Sequence, residues 1–153
     1  MKRRIFLQAS LATSQLALAI SSGLLIPMRV LAAWPSVAFN ATDLDQAIHA
    51  LLGGAPVEPS DAIHIEAQNI AEDGRTVPVG VRSEIPDTVA ISILSEKNPY
   101  PAVASFNLSP QVDPYISTRI KMGGSGHVVA VVSTKERHYY AKKRIQVTAG
   151  GCG

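Results

Sequence analysis

One side chain in this 153-residue chain can form and break bonds at sulfur: Cys152 is the single cysteine, and it stands in the closing run AGGCG. A thiolate adds to electrophiles, ligates soft metals or exchanges with another sulfur atom. A structural disulfide needs a second cysteine, and a packed core cysteine needs bulky apolar neighbours. The neighbours here are Gly150, Gly151 and Gly153. Glycine loses the most conformational freedom on ordering, so residues 149–153 are expected to form a flexible arm. Extended from Thr148, that arm carries Cys152 up to about 14 Å at about 3.5 Å per residue. Glycines pass through channels where a Cβ would clash, so the thiol is suited to insertion into a pocket on another protein.

The charge around the arm is uneven. Residues 135–144 hold five basic side chains (Lys135, Arg137, Lys142, Lys143 and Arg144) against one acid, Glu136. Of these, Lys142, Lys143 and Arg144 are candidates for favouring the thiolate and attracting an anionic sulfur compound. The terminal carboxylate, one residue beyond the cysteine, opposes both effects. Exposed charges are well screened, so the pocket that receives the arm is expected to set reactivity.

No other constellation stands out. His49, His64, His127 and His138 occur singly, without metal-box spacing, although His127 and His138 can be imagined meeting across neighbouring strands. His49 reads as a partly exposed helix residue. No metal or organic cofactor is expected. The stretch GGSG (residues 123–126) reads as a hairpin connection rather than a phosphate loop. Carboxylates are scattered on turns and polar faces, and no catalytic site emerges in the body.

The N-terminus is a separate piece. Lys2, Arg3 and Arg4 precede an apolar stretch over residues 9–26, then Ala32 and Ala33, the pattern of a cleavable secretory signal over residues 1–33. Arg3 and Arg4 followed by Ile5, Phe6, Leu7 and Gln8 look like the twin-arginine export motif, which implies periplasmic delivery in the folded state. An uncleaved anchor is the other reading, but Gln8, Ser10, Thr13, Ser14, Gln15, Ser21 and Ser22 dilute the apolar run. The segment carries four basic residues and no acid, so the charge falls from +2 for the whole chain to −2 for residues 34–153. That balance argues against nucleic-acid binding by bulk electrostatics. In an oxidising compartment an unpaired cysteine points to intermolecular pairing or a reactive thiol.

The elements that position the arm read as one domain over residues 34–148. Leu44, Ile48, Leu51 and Leu52 recur at helical spacing behind Thr42 or Asp43 as cap, and Gly53, Gly54 and Pro56 end the helix. Alternating patterns then predict seven strands, around Ile63–Ala67, Val77–Val81, Val89–Ile93, Val103–Leu108, Tyr115–Met122, Val128–Val132 and the final HYYAKKRIQVT. Glu72, Asp73 and Gly74 mark a turn. Ala104, Phe106 and Leu108 are expected to face the core, opposite Val103, and Pro78 suggests an edge or a strand start. The run Val128–Val132 reads as a central strand. Short strands at this spacing predict an all-β, immunoglobulin-like sandwich with one short N-terminal helix and a glycine–cysteine tail. With 46% hydrophobic residues and 17% charged, such a core is within reach and wholesale disorder is not.

The tail and the body together carry a family resemblance. GGCG at the C-terminus, with IAEDGRTVPVGV, NPYPAVASFNLSP, YISTRIKM and VVAVVSTKERHYYAKKRIQVTAGGCG in order, is similar to the SoxY family of sulfur carriers of the periplasmic thiosulfate-oxidising system. The resemblance implies a carrier that is a substrate for other proteins, not an enzyme. It implies Cys152 as the sulfur attachment site and Gly150, Gly151 and Gly153 as the arm. It further implies a heterodimer with a SoxZ-like subunit, loading of thiosulfate by the haem protein SoxAX as a cysteine S-thiosulfonate, sulfate release by SoxB, and oxidation of the remaining sulfur by a sulfur dehydrogenase. The family motif usually ends GGCGG, whereas one glycine follows the cysteine here. On the residues alone two other readings stay open. One is a non-catalytic binding module whose cysteine makes an intermolecular disulfide. The other is a redox enzyme using Cys152 as nucleophile, for which no resolving cysteine or positioned base is visible.

Overall fold

A computed structural model of the chain describes residues 35–149. The signal-peptide reading with Arg3 and Arg4, and the arm residues Gly150, Gly151, Cys152 and Gly153, lie outside the described residues. Two helices come first, α1 (Ser36–Phe39) and α2 (Leu44–Leu51). The cap of α2 is Asp43, whose Oδ1 accepts the backbone N–H groups of Asp45 and Gln46 at 3.0 and 3.1 Å, satisfying donors that a helix start otherwise leaves open. The single turn of α1 was not foreseen; four residues are too few to show a period.

Nine strands follow among the described residues: β1 (Val57–Pro59), β2 (Ile63–Glu66), β3 (Ile70–Asp73), β4 (Val77–Ser83), β5 (Ala90–Ser95), β6 (Ala102–Asn107), β7 (Tyr115–Ile120), β8 (Gly126–Ser133) and β9 (His138–Ala149). One sheet runs β1-β9-β8-β5-β6, with β3 also pairing β9, and the other runs β2-β4-β7. The seven predicted strands are all present. The two additions, β1 and β3, are three and four residues long and both lie parallel to β9. Glu72 and Asp73 therefore end a strand, and the turn falls on Gly74 and Arg75.

Apolar side chains pack in two layers. Between the sheets lie Val77, Val79 and Val81 of β4, Ile91 and Ile93 of β5, Val128, Ala130 and Val132 of β8, Ile120, Met122 and Ile145. On the far face of the larger sheet, Leu94, Ala102, Val129 and Val131 are covered by Ala47, Leu44, Ile48, Leu51 and Phe39 from the helical segment. β8 is buried on both faces, which is why its sequence is continuously apolar rather than alternating. Val89, expected in the buried face of β5, is only half-buried. Phe106 of β6 and Leu108 just after it pack into the sandwich as expected, but Val103 of β6 does too. The pairing shifts between Ile93–Ala104 and Leu94–Ala102, leaving Val103 as an extra bulged residue that the simple alternation missed.

Two local expectations are corrected. GGSG is not a hairpin: β7 pairs with β4, while β8 pairs with β5 and β9, so the segment carries the chain from one sheet to the other. His127 and His138 do lie on neighbouring strands but at opposite ends, His127 opposite Arg144 and His138 opposite Ser133. Pro78 sits one residue into β4, before β2 joins at Gly80, where no second neighbour needs its missing N–H.

Candidate functional site

The strand that leads to the cysteine is β9. Over His138–Ile145 it is laddered to β8, and that ladder ends at the Gly126–Ile145 pair. The last four residues continue beyond it. There β3 runs parallel, pairing Ile70 with Gln146, Ala71 with Val147 and Asp73 with Ala149. The Gln146 N–H donates to the Asn69 carbonyl at 2.9 Å. Ser125, the residue before β8, accepts the Val147 N–H on its Oγ at 2.9 Å and donates its hydroxyl to the Val147 carbonyl at 3.3 Å. The Thr148 hydroxyl lies 3.1 Å from the Glu72 carbonyl and 3.5 Å from that of Ala71. The chain is thus held in ordered pairing up to Ala149, three residues before Cys152.

Ser125 is itself well supported. The Asn98 side chain donates to the Lys121 carbonyl and accepts the Gly123 N–H, both at 2.8 Å. On the other side of Ser125, Glu96 Oε2 accepts the His127 N–H at 3.0 Å and lies 2.7 Å from His127 Nδ1. These bonds hold the Glu96 carboxyl at about 2 instead of 4.5, with the His127 backbone and ring bonds as main causes and Lys97 adding to them.

Charges beside the end of β9 are mostly self-neutralised. Arg75 grips Asp73 through Nε at 3.0 Å and Nη2 at 2.8 Å to Oδ2, holding that exposed carboxyl below its usual range, and Glu72 is exposed beside them. The basic residues singled out from sequence are not brought together here. Lys142 and Arg144 point to one face and Lys143 to the other, as strand alternation dictates. Lys142 Nζ lies 5.2 Å from the centre of the Tyr140 ring, and Lys143 Nζ donates to the Ala67 carbonyl at 2.6 Å. Along the strand Arg144 stands about 17 Å and Lys142 about 23 Å before Ala149, at about 3.3 Å per residue.

Other surface features lie elsewhere. A groove of about 540 Å³, lined by Ser83–Val89, Pro110, Val112, Pro114 and Lys135, occupies the opposite end of the sandwich from Ala149. A second, of about 470 Å³, lies between the end of α2 and the start of β9, with His49, Tyr140 and Lys142 in its walls. Among the described residues no three His, Cys, Asp or Glu side chains are placed to hold a metal, and no helix is long and apolar enough to cross a membrane. Ser125, Thr148 and the Asn98 brace were missed from sequence. The signal available was a serine inside an otherwise glycine loop, which gains meaning only once that loop is beside β9.

Comparison with known proteins agrees with this architecture. Residues 48–152 match the family model described as sulfur oxidation protein SoxY. The structure is similar to that of the sulfur carrier protein SoxY from Chlorobium limicola f thiosulfatophilum, with 40% identity and a TM-score of 0.64, over 70% of this chain and 97% of that one. It also resembles a superoxide reductase (neelaredoxin) from Ignicoccus hospitalis at 18% identity and a TM-score of 0.50, over 56% of this chain and 80% of that one, a likeness of fold alone. No match is found among curated proteins. With the family match extending over most of the chain, from the middle of α2 to the cysteine near its end, the chain belongs to the SoxY family.

Proposed function

We propose that this protein is a covalent sulfur carrier of a thiosulfate-oxidising system, holding intermediates on Cys152 and presenting them to partner enzymes. The observation that carries this reading is the SoxY match running to residue 152, the position of the chain's single cysteine. The likeness to a solved sulfur carrier over the body supports it.

The chemistry is written on the thiol. The Cys152 thiol and thiosulfate join through a new sulfur–sulfur bond, giving the S-thiosulfonate; one proton is released and two electrons pass to a haem protein of the SoxAX type. Water then cleaves the sulfonate group from the outer sulfur, in a step assigned to a SoxB-type hydrolase. That step leaves a persulfide on Cys152 and releases sulfate and a proton. A sulfur dehydrogenase oxidises the remaining sulfur with three waters to a sulfonate, taking six electrons and releasing seven protons. A second hydrolysis by the SoxB-type enzyme frees it as sulfate and a proton, restoring the Cys152 thiol. The carrier works as a heterodimer with a SoxZ-like subunit, in the periplasm, after twin-arginine export and removal of residues 1–33. The arm is formed by Gly150, Gly151 and Gly153, and the chain itself catalyses nothing.

The test is the intact mass of the mature protein isolated without reductant, with and without thiosulfate and the oxidising haem protein. Adducts of sulfur or thiosulfonate that disappear with reductant, and are absent from Cys152→Ser, are expected. A bare thiol, or a disulfide dimer indifferent to thiosulfate, overturns the proposal in favour of a binding module.

A further inference from the structure

The last residues of β9 are held in a way that ordinary sheet pairing does not require. Strand ends near a chain terminus usually fray. Here the ladder to β8 stops at the Gly126–Ile145 pair, so the Val147 N–H and carbonyl have no ladder partner on that strand. Both are taken by one side chain, Ser125, which accepts from one and donates to the other. The next residue, Thr148, bonds by its own hydroxyl to β3 carbonyls. Two hydroxyls, from different elements, therefore act on two consecutive residues immediately before the glycine arm. Ser125 belongs to the crossover between the sheets, which Asn98 and Glu96 fasten on either side, so it does not move freely with the strand it holds.

We infer that Ser125 is a positioning residue for the arm: its double hydrogen bond to Val147 fixes the point at which the cysteine-bearing segment leaves the fold. This rests on the carrier reading above. With the bonds made, the three residues from Ala149 to Cys152 allow a reach of at most about 10 Å, at about 3.5 Å each. If the pairing of residues 146–149 is lost, four more residues join the arm and the radius grows to roughly 24 Å by the same rise. A longer tether lowers the effective concentration of the thiol at a docked partner's pocket. The side chain thus acts on handover without touching sulfur.

Cys152 is the only native thiol, so one added cysteine permits a distance measurement by paired spin labels. Glu136→Cys puts the second label on an exposed residue in the turn between β8 and β9, away from Ala149. In that background, Ser125→Ala is expected to broaden the distance distribution and raise the exchange rate of the Val147 amide at least tenfold. Ser125→Thr, which keeps the hydroxyl, is expected to restore both. With the carrier's unlabelled single-cysteine form, Ser125→Ala leaves the rate of Cys152 with a small disulfide reagent unchanged. Its KM as loaded substrate of the sulfate-releasing hydrolase rises several-fold at constant kcat. An unchanged distance distribution in Ser125→Ala overturns the inference, and so does a broadened distribution with an unaltered KM. Failure of the carrier reading shows separately, as absence of any sulfur adduct on wild-type Cys152.

Discussion

Asn98 and Gly123 are joined across the end of the sandwich, the Asn98 Oδ1 accepting the Gly123 N–H at 2.8 Å while its Nδ2 donates to the Lys121 carbonyl at the same distance. One amide side chain thereby supplies the pairing that the backbone loses where it leaves β7 to cross to the other sheet. Asn98→Ala removes both partners, and water reaches the Lys121 side more easily than the half-buried Gly123 N–H. A loss of about 1–2 kcal/mol is expected in denaturant unfolding. Asn98→Asp keeps the acceptor and is expected to retain part of it.

The glycines of the crossover separate by what a methyl group would meet. At Gly123 a Cβ would lie 2.8 Å from the Lys97 carbonyl oxygen, which is backbone and cannot swing aside. At Gly126 it would lie 2.7 Å from Lys97 Cγ, in a flexible side chain, and at Gly124 nothing is within 4 Å. Gly123→Ala is therefore expected to cost about 1–3 kcal/mol. Gly126→Ala should cost less, and Gly124→Ala should be neutral or stabilising by up to about 1 kcal/mol, through the unfolded chain. Melting temperatures of the three single variants check the order.

Acid titration should report the Glu96–His127 contact. The folded carboxyl is held at about 2 against 4.5, so its contribution is complete above about pH 4.5 and is lost as pH falls from there towards 2. The Glu96 side chain is 30% exposed, and the expected contribution is accordingly reduced to about 1–2 kcal/mol. Glu96→Gln should lower stability at neutral pH and flatten its dependence between pH 4.5 and 2. An acid limb as steep as the wild type's would contradict this account.

Burial on both faces of the larger sheet predicts two distinguishable core defects. Ile91 and Leu94 are both fully buried, Ile91 between the sheets and Leu94 beneath the helices. Replacing either by alanine is expected to cost about 2–5 kcal/mol. Leu94→Ala should additionally loosen α2 before the sheets melt, seen as early loss of amide-exchange protection over Leu44–Leu51. Ile91→Ala should lower the whole transition together.

The periodicities of residues 44–148 determined most of the fold. A 3.6-residue stripe behind Asp43 is enough to specify α2, and period-two alternation is enough for the longer strands, because both depend on neighbours a few residues apart. The candidate thiol was equally legible, since chemistry at sulfur depends on residue type and a single cysteine leaves no competitor. Strand partners were another matter. β1 and β3 are too short to carry a pattern, and they become strands only by pairing with β9 some 80 residues later. GGSG has the local signature of a hairpin, and nothing within it says that its flanking strands belong to different sheets. Lys142, Lys143 and Arg144 are consecutive in the chain, yet alternation sends them to opposite faces and strand rise sets them well before Ala149. Ser125, conversely, is 22 residues from Val147 and reaches it only because the crossover folds back beside the end of β9. Local pattern decided which segments are helix or strand and which residue is the candidate thiol; long-range pairing decided how the chain is held up to Ala149, three residues before it.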